Sequence, residues 1–207
     1  MTETSLVYSK KDRDLLERKD RYYYSVEPDR LAQVKAKVEN FFDVDYCVRK
    51  AKTLLEQKDA DAEILVWATH LAKLARVMKP DRPLVNFTLA RGLLRVGERD
   101  AALALLEDLR EAKRGSGEDE DAWFQATRTL AELYANEYAR PELAIPCYLD
   151  YRDYSRSGAD TYFQLGRCYE ATNDVDNAIK FYEAVTAYDQ HPRYWDATEA
   201  VRRLKNG

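Results

Sequence analysis

From residue 28 onward the apolar positions of the chain recur at three- and four-residue steps. Leu31, Val34, Val38 and Phe41 make one such series, and Val44, Val48, Ala51 and Leu55 make another. A face repeated at that spacing predicts amphipathic helices. Asp43 and Asp45 lie between the two series, where a short acceptor side chain can cap the first free amides of a helix. Ala62 to Met78 is apolar over a broader front, through Ile64, Leu65, Ala68, Leu71, Ala72 and Ala75, so that helix should pack against several neighbours. Pro80 and Pro83 then force a break and a restart, Pro83 suiting a first helical turn. Further helices are predicted over 83–96, 98–113, 120–138, 141–154, 158–171, 174–188 and 193–205. Their connections are short apart from the acidic, glycine-containing loop at 114–121. No window alternates as a strand does. Short links between helices of this length fold them into successive antiparallel hairpins. Pro146 falls inside the helix that Pro141 should begin, so that helix either starts nearer Leu143 or bends.

Residues 1–27 have a different character. Basic and acidic side chains alternate there, interrupted only by Leu15, Leu16 and the run Tyr22, Tyr23, Tyr24. Such a segment can bury little apolar area and reads as a mobile arm or a marginal helix.

The chain also repeats itself. Ala144 and Tyr148 recur as Ala178 and Tyr182, in both cases 34 positions later, and the second pair follows Tyr162, Leu165, Gly166 and Tyr169. An aromatic, then Leu-Gly, then Tyr, then Ala and an aromatic at these spacings resembles the tetratricopeptide repeat, with Tyr in place of Trp and Phe. A weaker copy uses Thr127, Leu130, Ala131 and Tyr134 before Ala144, with one extra residue in its turn. A third uses Asn86, Leu89, Ala90 and Leu93 before Ala102 and Leu106. The resemblance implies an all-α fold: a right-handed superhelix of antiparallel helical hairpins, with the segment 193–207 as a C-terminal capping helix. It divides the chain into a charged N-terminal arm (1–27), degenerate helical hairpins (28–82), tetratricopeptide-like repeats (83–192) and the cap. Small residues such as Gly166 and Ala178 let paired helices approach, and each hairpin hides its apolar stripe by stacking on its neighbours.

Composition narrows the function classes. The chain has 207 residues, 45% of them apolar and 34% charged, enough for a core with much solvated surface; its 7 glycines leave little material for a turn-rich β fold. A net charge of −4 without a basic stripe argues against nucleic-acid binding. No apolar run approaches the length of a membrane span, and no signal-peptide core is visible near Met1. Cys47, Cys147 and Cys168 are odd in number and far apart, which fits buried, reduced thiols in a cytoplasmic protein. His70 and His191 have no partners at the spacing of a triad or a metal site, the glycines at 115 and 117 make no phosphate loop, and the acidic pairs fall in turns. No catalytic residue, metal site or cofactor is therefore expected.

The groove implied by the resemblance is the remaining candidate. In tetratricopeptide proteins the first helices of successive hairpins line a concave surface that binds extended peptides or partner helices. By position the lining comprises Phe87, Arg91, Leu94 and Arg95, then Arg128, Glu132 and Asn136, then Phe163, Arg167 and Glu170. Four arginines against two glutamates suit a partner segment with acidic and apolar residues; the alternative is that these are ordinary solvated helix positions. The positions that clamp a terminal carboxylate in one subclass would be Phe87, Arg91, Thr129, Asp160 and Gln164, which do not suit that task. The expected role is a non-catalytic adaptor or scaffold binding another protein. Two alternatives stand beside it: a self-assembling homo-oligomer using the N-terminal arm, and a regulatory subunit of a separately encoded enzyme.

Overall fold

The computed structural model describes residues 10–38, 42–154, 158–188 and 190–206. The chain is an all-α helical-repeat solenoid: among the described residues helix makes up 80%, and no strand occurs. It divides into two compact units at Ala102 and Leu103.

The first unit contains α1 (Lys10–Ser25), α2 (Pro28–Val38), α3 (Val44–Glu56), α4 (Ala62–Met78) and α5 (Pro83–Val96). The caps are where the short acidic side chains fall: Asp43 accepts the Tyr46 amide and Asp61 the Ile64 amide. The broad apolar front of α4 has the expected consequence, for α1, α2, α3 and α5 all pack against it. Ala68, Leu71, Ala72, Leu74 and Ala75 of that helix are fully enclosed. Pro83 opens α5, and Gly97 ends it in the left-handed region at φ 87°. There the Glu98 amide reaches back to the Leu93 carbonyl (2.9 Å) and the Gly97 amide to that of Leu94 (3.3 Å), the Schellman closure that favours glycine. Within the charged N-terminal segment, Tyr23 is buried at 2% exposure. Its hydroxyl accepts the Asp43 amide, and His70 Nε2 lies 3.1 Å from its carbonyl.

The second unit begins within α6 (Arg99–Glu111) and continues with α7 (Glu118–Glu132), α8 (Pro141–Arg152), α9 (Ala159–Ala171), α10 (Val175–Thr186) and α11 (Tyr194–Asn206). From α7 on, each helix packs against the next in sequence, the pattern of stacked hairpins. Gly166 sets the approach of α9 to α10, since a Cβ there would lie 2.7 Å from two carbons of the Tyr182 ring. Asp174 caps α10 by accepting the Asn177 amide. α11 covers the last hairpin with Ala197 and Ala200, completing a cluster with Phe163, Tyr182 and Val185.

One local feature differs from the sequence reading, and a second decides between its alternatives. The helix expected over 120–138 passes at Leu133–Glu137 into a π-helical turn, in which the Tyr138 amide donates to the Leu133 carbonyl. The extra residue of that repeat is thus taken up inside the helix, as a widened turn. Helix α8 does begin at Pro141 and runs on through Pro146, rather than starting nearer Leu143. Four tyrosine hydroxyls reach carboxylates: Tyr46 donates to Asp20, Tyr134 to Glu107, Tyr154 to Asp121 and Tyr182 to Glu170. The Tyr148 hydroxyl, by contrast, is enclosed with no hydrogen-bond partner among the described residues.

Candidate functional site

Helix α5 carries the first group of predicted groove residues. Arg91 Nη1 lies 3.9 Å from Glu56 and its guanidinium 5.9 Å from the Phe87 ring centroid. Arg95 reaches the C-terminal end of α3, donating to the Leu55 carbonyl at 2.8 Å and to that of Gln57 at 3.4 Å. It satisfies carbonyls that the end of α3 leaves open, a capping role that a groove assignment by position does not anticipate. Phe87 and Leu94 are half-buried on the same helix.

In the second unit, Arg128 and Glu132 are joined across one turn of α7, Nε to Oε1, at 2.8 Å, and the guanidinium lies 5.8 Å from the Tyr151 ring. Both line a cavity of about 480 Å³ with Tyr148, Tyr151, Gln164 and Arg193. Asp160, at the N-terminus of α9, enters the same cavity 3.7 Å from His191 and 3.9 Å from Arg193. Each cation of this lining therefore has a carboxylate beside it. Burial keeps the Tyr148 phenol protonated, raising its pKa well above the ordinary value of 10.0. Asn136 is exposed on the π-helical turn, where the widened geometry breaks the register that carried the prediction to it.

Phe163, Arg167 and Glu170 form a third group along α9. Phe163 is 9% exposed and belongs to the core cluster with Tyr182; Arg193 lies over its ring, 5.1 Å from the centroid. Arg167 donates to Gln164 Oε1 at 3.1 Å. Glu170 takes the Arg203 guanidinium at 2.6 Å and the Tyr182 hydroxyl at 3.0 Å. The Arg203 contact, aided by the Tyr182 hydroxyl against the opposing effect of burial, holds the Glu170 carboxyl below its ordinary 4.5. These residues border a shallow cavity of about 500 Å³ that extends to Arg203 of α11.

The sequence pointed to neither Arg193 nor Tyr148 as site residues. Arg193 lies in the turn between α10 and α11, outside the repeat positions, so no repeat signal points to it. Tyr148 looked like a packing position, and it is one; only the structure shows its hydroxyl without an acceptor.

The tetratricopeptide repeat family profile matches residues 159–192, which span α9, α10 and the turn beyond. Two solved structures have similar folds. One, titled "Crystal structure of MamA protein", superposes with a TM-score of 0.59 at 16% identity, over 78% of this chain and 82% of that one. The other, "Crystal structure of MamA", gives a TM-score of 0.53 at 15% identity, over 97% and 99%. At such identities the likeness concerns the fold alone. No curated protein matches the sequence. Stacked hairpins define the class of fold, and within it residues 159–192 form a recognised tetratricopeptide repeat. Among the described residues no helix is long and apolar enough to cross a membrane.

Proposed function

We propose that this chain is a non-catalytic adaptor or scaffold whose first helices hold a segment of a partner protein. The reading rests chiefly on the cavity lined by Arg128 and Glu132 of α7 and Gln164 of α9, the first helices of two successive hairpins. Its lining mixes aromatic surface with paired charges, which suits a side chain from an extended segment more than a free metabolite. Arg128, Glu132 and Arg167 are the groove residues to be tested first, because they are accessible and replaceable without opening the core. Phe87, Arg91 and Leu94 offer a comparable surface on α5. Arg95 and Phe163 are held by α3 and by the last hairpin, so their replacement would disturb the fold as well.

The test is affinity purification from the native source with wild-type chain and an Arg128→Glu, Arg167→Glu double variant, partners being identified by mass spectrometry. The expected outcome is loss of at least one partner with helicity and melting temperature retained. Retention of every partner would sink the groove reading.

A further inference from the structure

The Tyr22 to Tyr24 run is not used by the groove, and the structure splits it. Tyr23 turns into the core, while Tyr24 stays 51% exposed on α1. Tyr24 meets Trp67 of α4 edge to face, ring centroids 6.2 Å apart at 78°. Between these helices lies a cavity of about 390 Å³ lined by Tyr24, Trp67, Ile64, Asp20, Arg21, Asp61 and Glu63.

We propose that this cavity binds a basic side chain, an arginine or lysine presented by an apolar segment of a partner protein. Its walls supply the two parts such a group needs. The rings of Tyr24 and Trp67 and the side chain of Ile64 can pack the methylene stem, and aromatic faces also attract a cation electrostatically. The rim carries three carboxylates, against the Arg21 guanidinium in the lining and the Lys50 ammonium at its margin. Asp20 is already held by Lys50 at 3.2 Å and by the Tyr46 hydroxyl. Asp61 uses one oxygen for the Ile64 amide. Glu63 is exposed and pairs with none of the described residues. The charge left facing the cavity is therefore negative, which repels an acidic partner and attracts a basic one.

The protein already holds a cation in this way nearby. Lys50 Nζ sits 5.2 Å from the Trp67 ring centroid while paired with Asp20, so an aromatic face and a carboxylate fix an ammonium at the margin of the cavity. The cavity presents the same two components again, with Asp61 and Glu63 as the carboxylates. This surface stands independently of the groove, which involves none of these residues.

The probes are three tripeptides, acetylated and amidated: Leu-Arg-Leu, Leu-citrulline-Leu and Leu-Glu-Leu. Citrulline keeps the shape of arginine without its charge. Binding to the full chain is followed by the indole N–H resonance of Trp67, assigned through Trp67→Phe and Trp195→Phe spectra. The arginine peptide should move that resonance saturably, the citrulline peptide several-fold more weakly and the glutamate peptide not at all. An Asp61→Asn, Glu63→Gln double variant, which keeps the cap of α4, should weaken the arginine peptide about three- to tenfold. Salt at about 0.5 M should weaken it similarly. Equal binding of the arginine and citrulline peptides would overturn the proposal by showing an apolar cleft alone. A resonance unmoved by the arginine peptide, or moved as much in the double variant, would overturn it as well.

Discussion

Replacing Gly166 by alanine adds one methyl group at the tightest crossing of the last hairpin. The new Cβ would stand 2.7 Å from Cδ1 and Cε1 of Tyr182 and 2.9 Å from its Cγ, where carbon atoms prefer about 3.5–4.0 Å. The ring has little freedom to retreat. It is 2% exposed, lies 5.6 Å from the Phe163 ring centroid, and its hydroxyl is held by Glu170. Forcing a methyl into such a core costs about 1–3 kcal/mol. Alanine recovers up to about 1 kcal/mol through its better helix propensity. The net expectation is a loss of about 1–2 kcal/mol, with the melting temperature falling by about 2–8 °C in a chain of this length. Differential scanning calorimetry of wild type and Gly166→Ala measures it directly. A double-mutant cycle with Tyr182→Leu identifies the cause, because the pair should be less destabilised than the sum of its members by about 1 kcal/mol or more. A Gly166→Ala variant as stable as wild type, or an additive cycle, would refute the close-approach account of this glycine.

Three further outcomes follow from the polar contacts of the core. Tyr148→Phe removes a hydroxyl that has no partner, so stability should hold or rise by up to about 1 kcal/mol, whereas Tyr182→Phe gives up its bond to Glu170 and should lose about 1 kcal/mol; urea melts that rank them the other way would contradict the structure. Glu170 titrates below its ordinary 4.5 in the folded chain, chiefly through Arg203, so its contribution is complete above that value and is lost as pH falls through the lower folded pKa. The difference in melting temperature between wild type and Glu170→Gln should therefore shrink on acidification below pH 4.5; a difference that grows there would be inconsistent. Burial pushes the thiols of Cys47 to about 12 and of Cys147 and Cys168 to about 11, so alkylation near pH 8 should be slow in the native chain and fast in urea, and rapid native labelling would show an open core.

The helices were legible because each buries one stripe against its neighbours, and a stripe leaves a period in the sequence. The cap at Asp43 was equally readable, since a short acidic side chain ahead of an apolar series has a local task. Ala178, Gly166 and Tyr182 form a contact whose residue types follow from its geometry, and so the last repeat stood out. What the sequence could not convey is the use of one side chain by a distant one. Arg95 looks like a groove arginine until α3 is seen to end against it, and Phe163 looks accessible until α11 is laid over it. The extra residue between Tyr134 and Ala144 was visible in the count, but its destination was not, because a loop and a widened helical turn use the same residues. Arg193 comes from a turn rather than a repeat position, so carrying positions from one hairpin to the next could not find it.

The bonds from Tyr134 to Glu107, Tyr154 to Asp121 and Tyr182 to Glu170 bear on how the stack finds its alignment. Apolar stripes built from similar residues at a similar pitch fit together almost as well after one helix slides by a turn against the next, so hydrophobic contact alone discriminates weakly between neighbouring alignments. A hydroxyl and a carboxylate meet in only one of them, and in any other the phenol is left enclosed and unsatisfied, at roughly 1–3 kcal/mol each. Tyr134, Tyr154 and Tyr182, where phenylalanine would pack as well, thus act as keys that make one stacking of the hairpins distinguishable from its near copies.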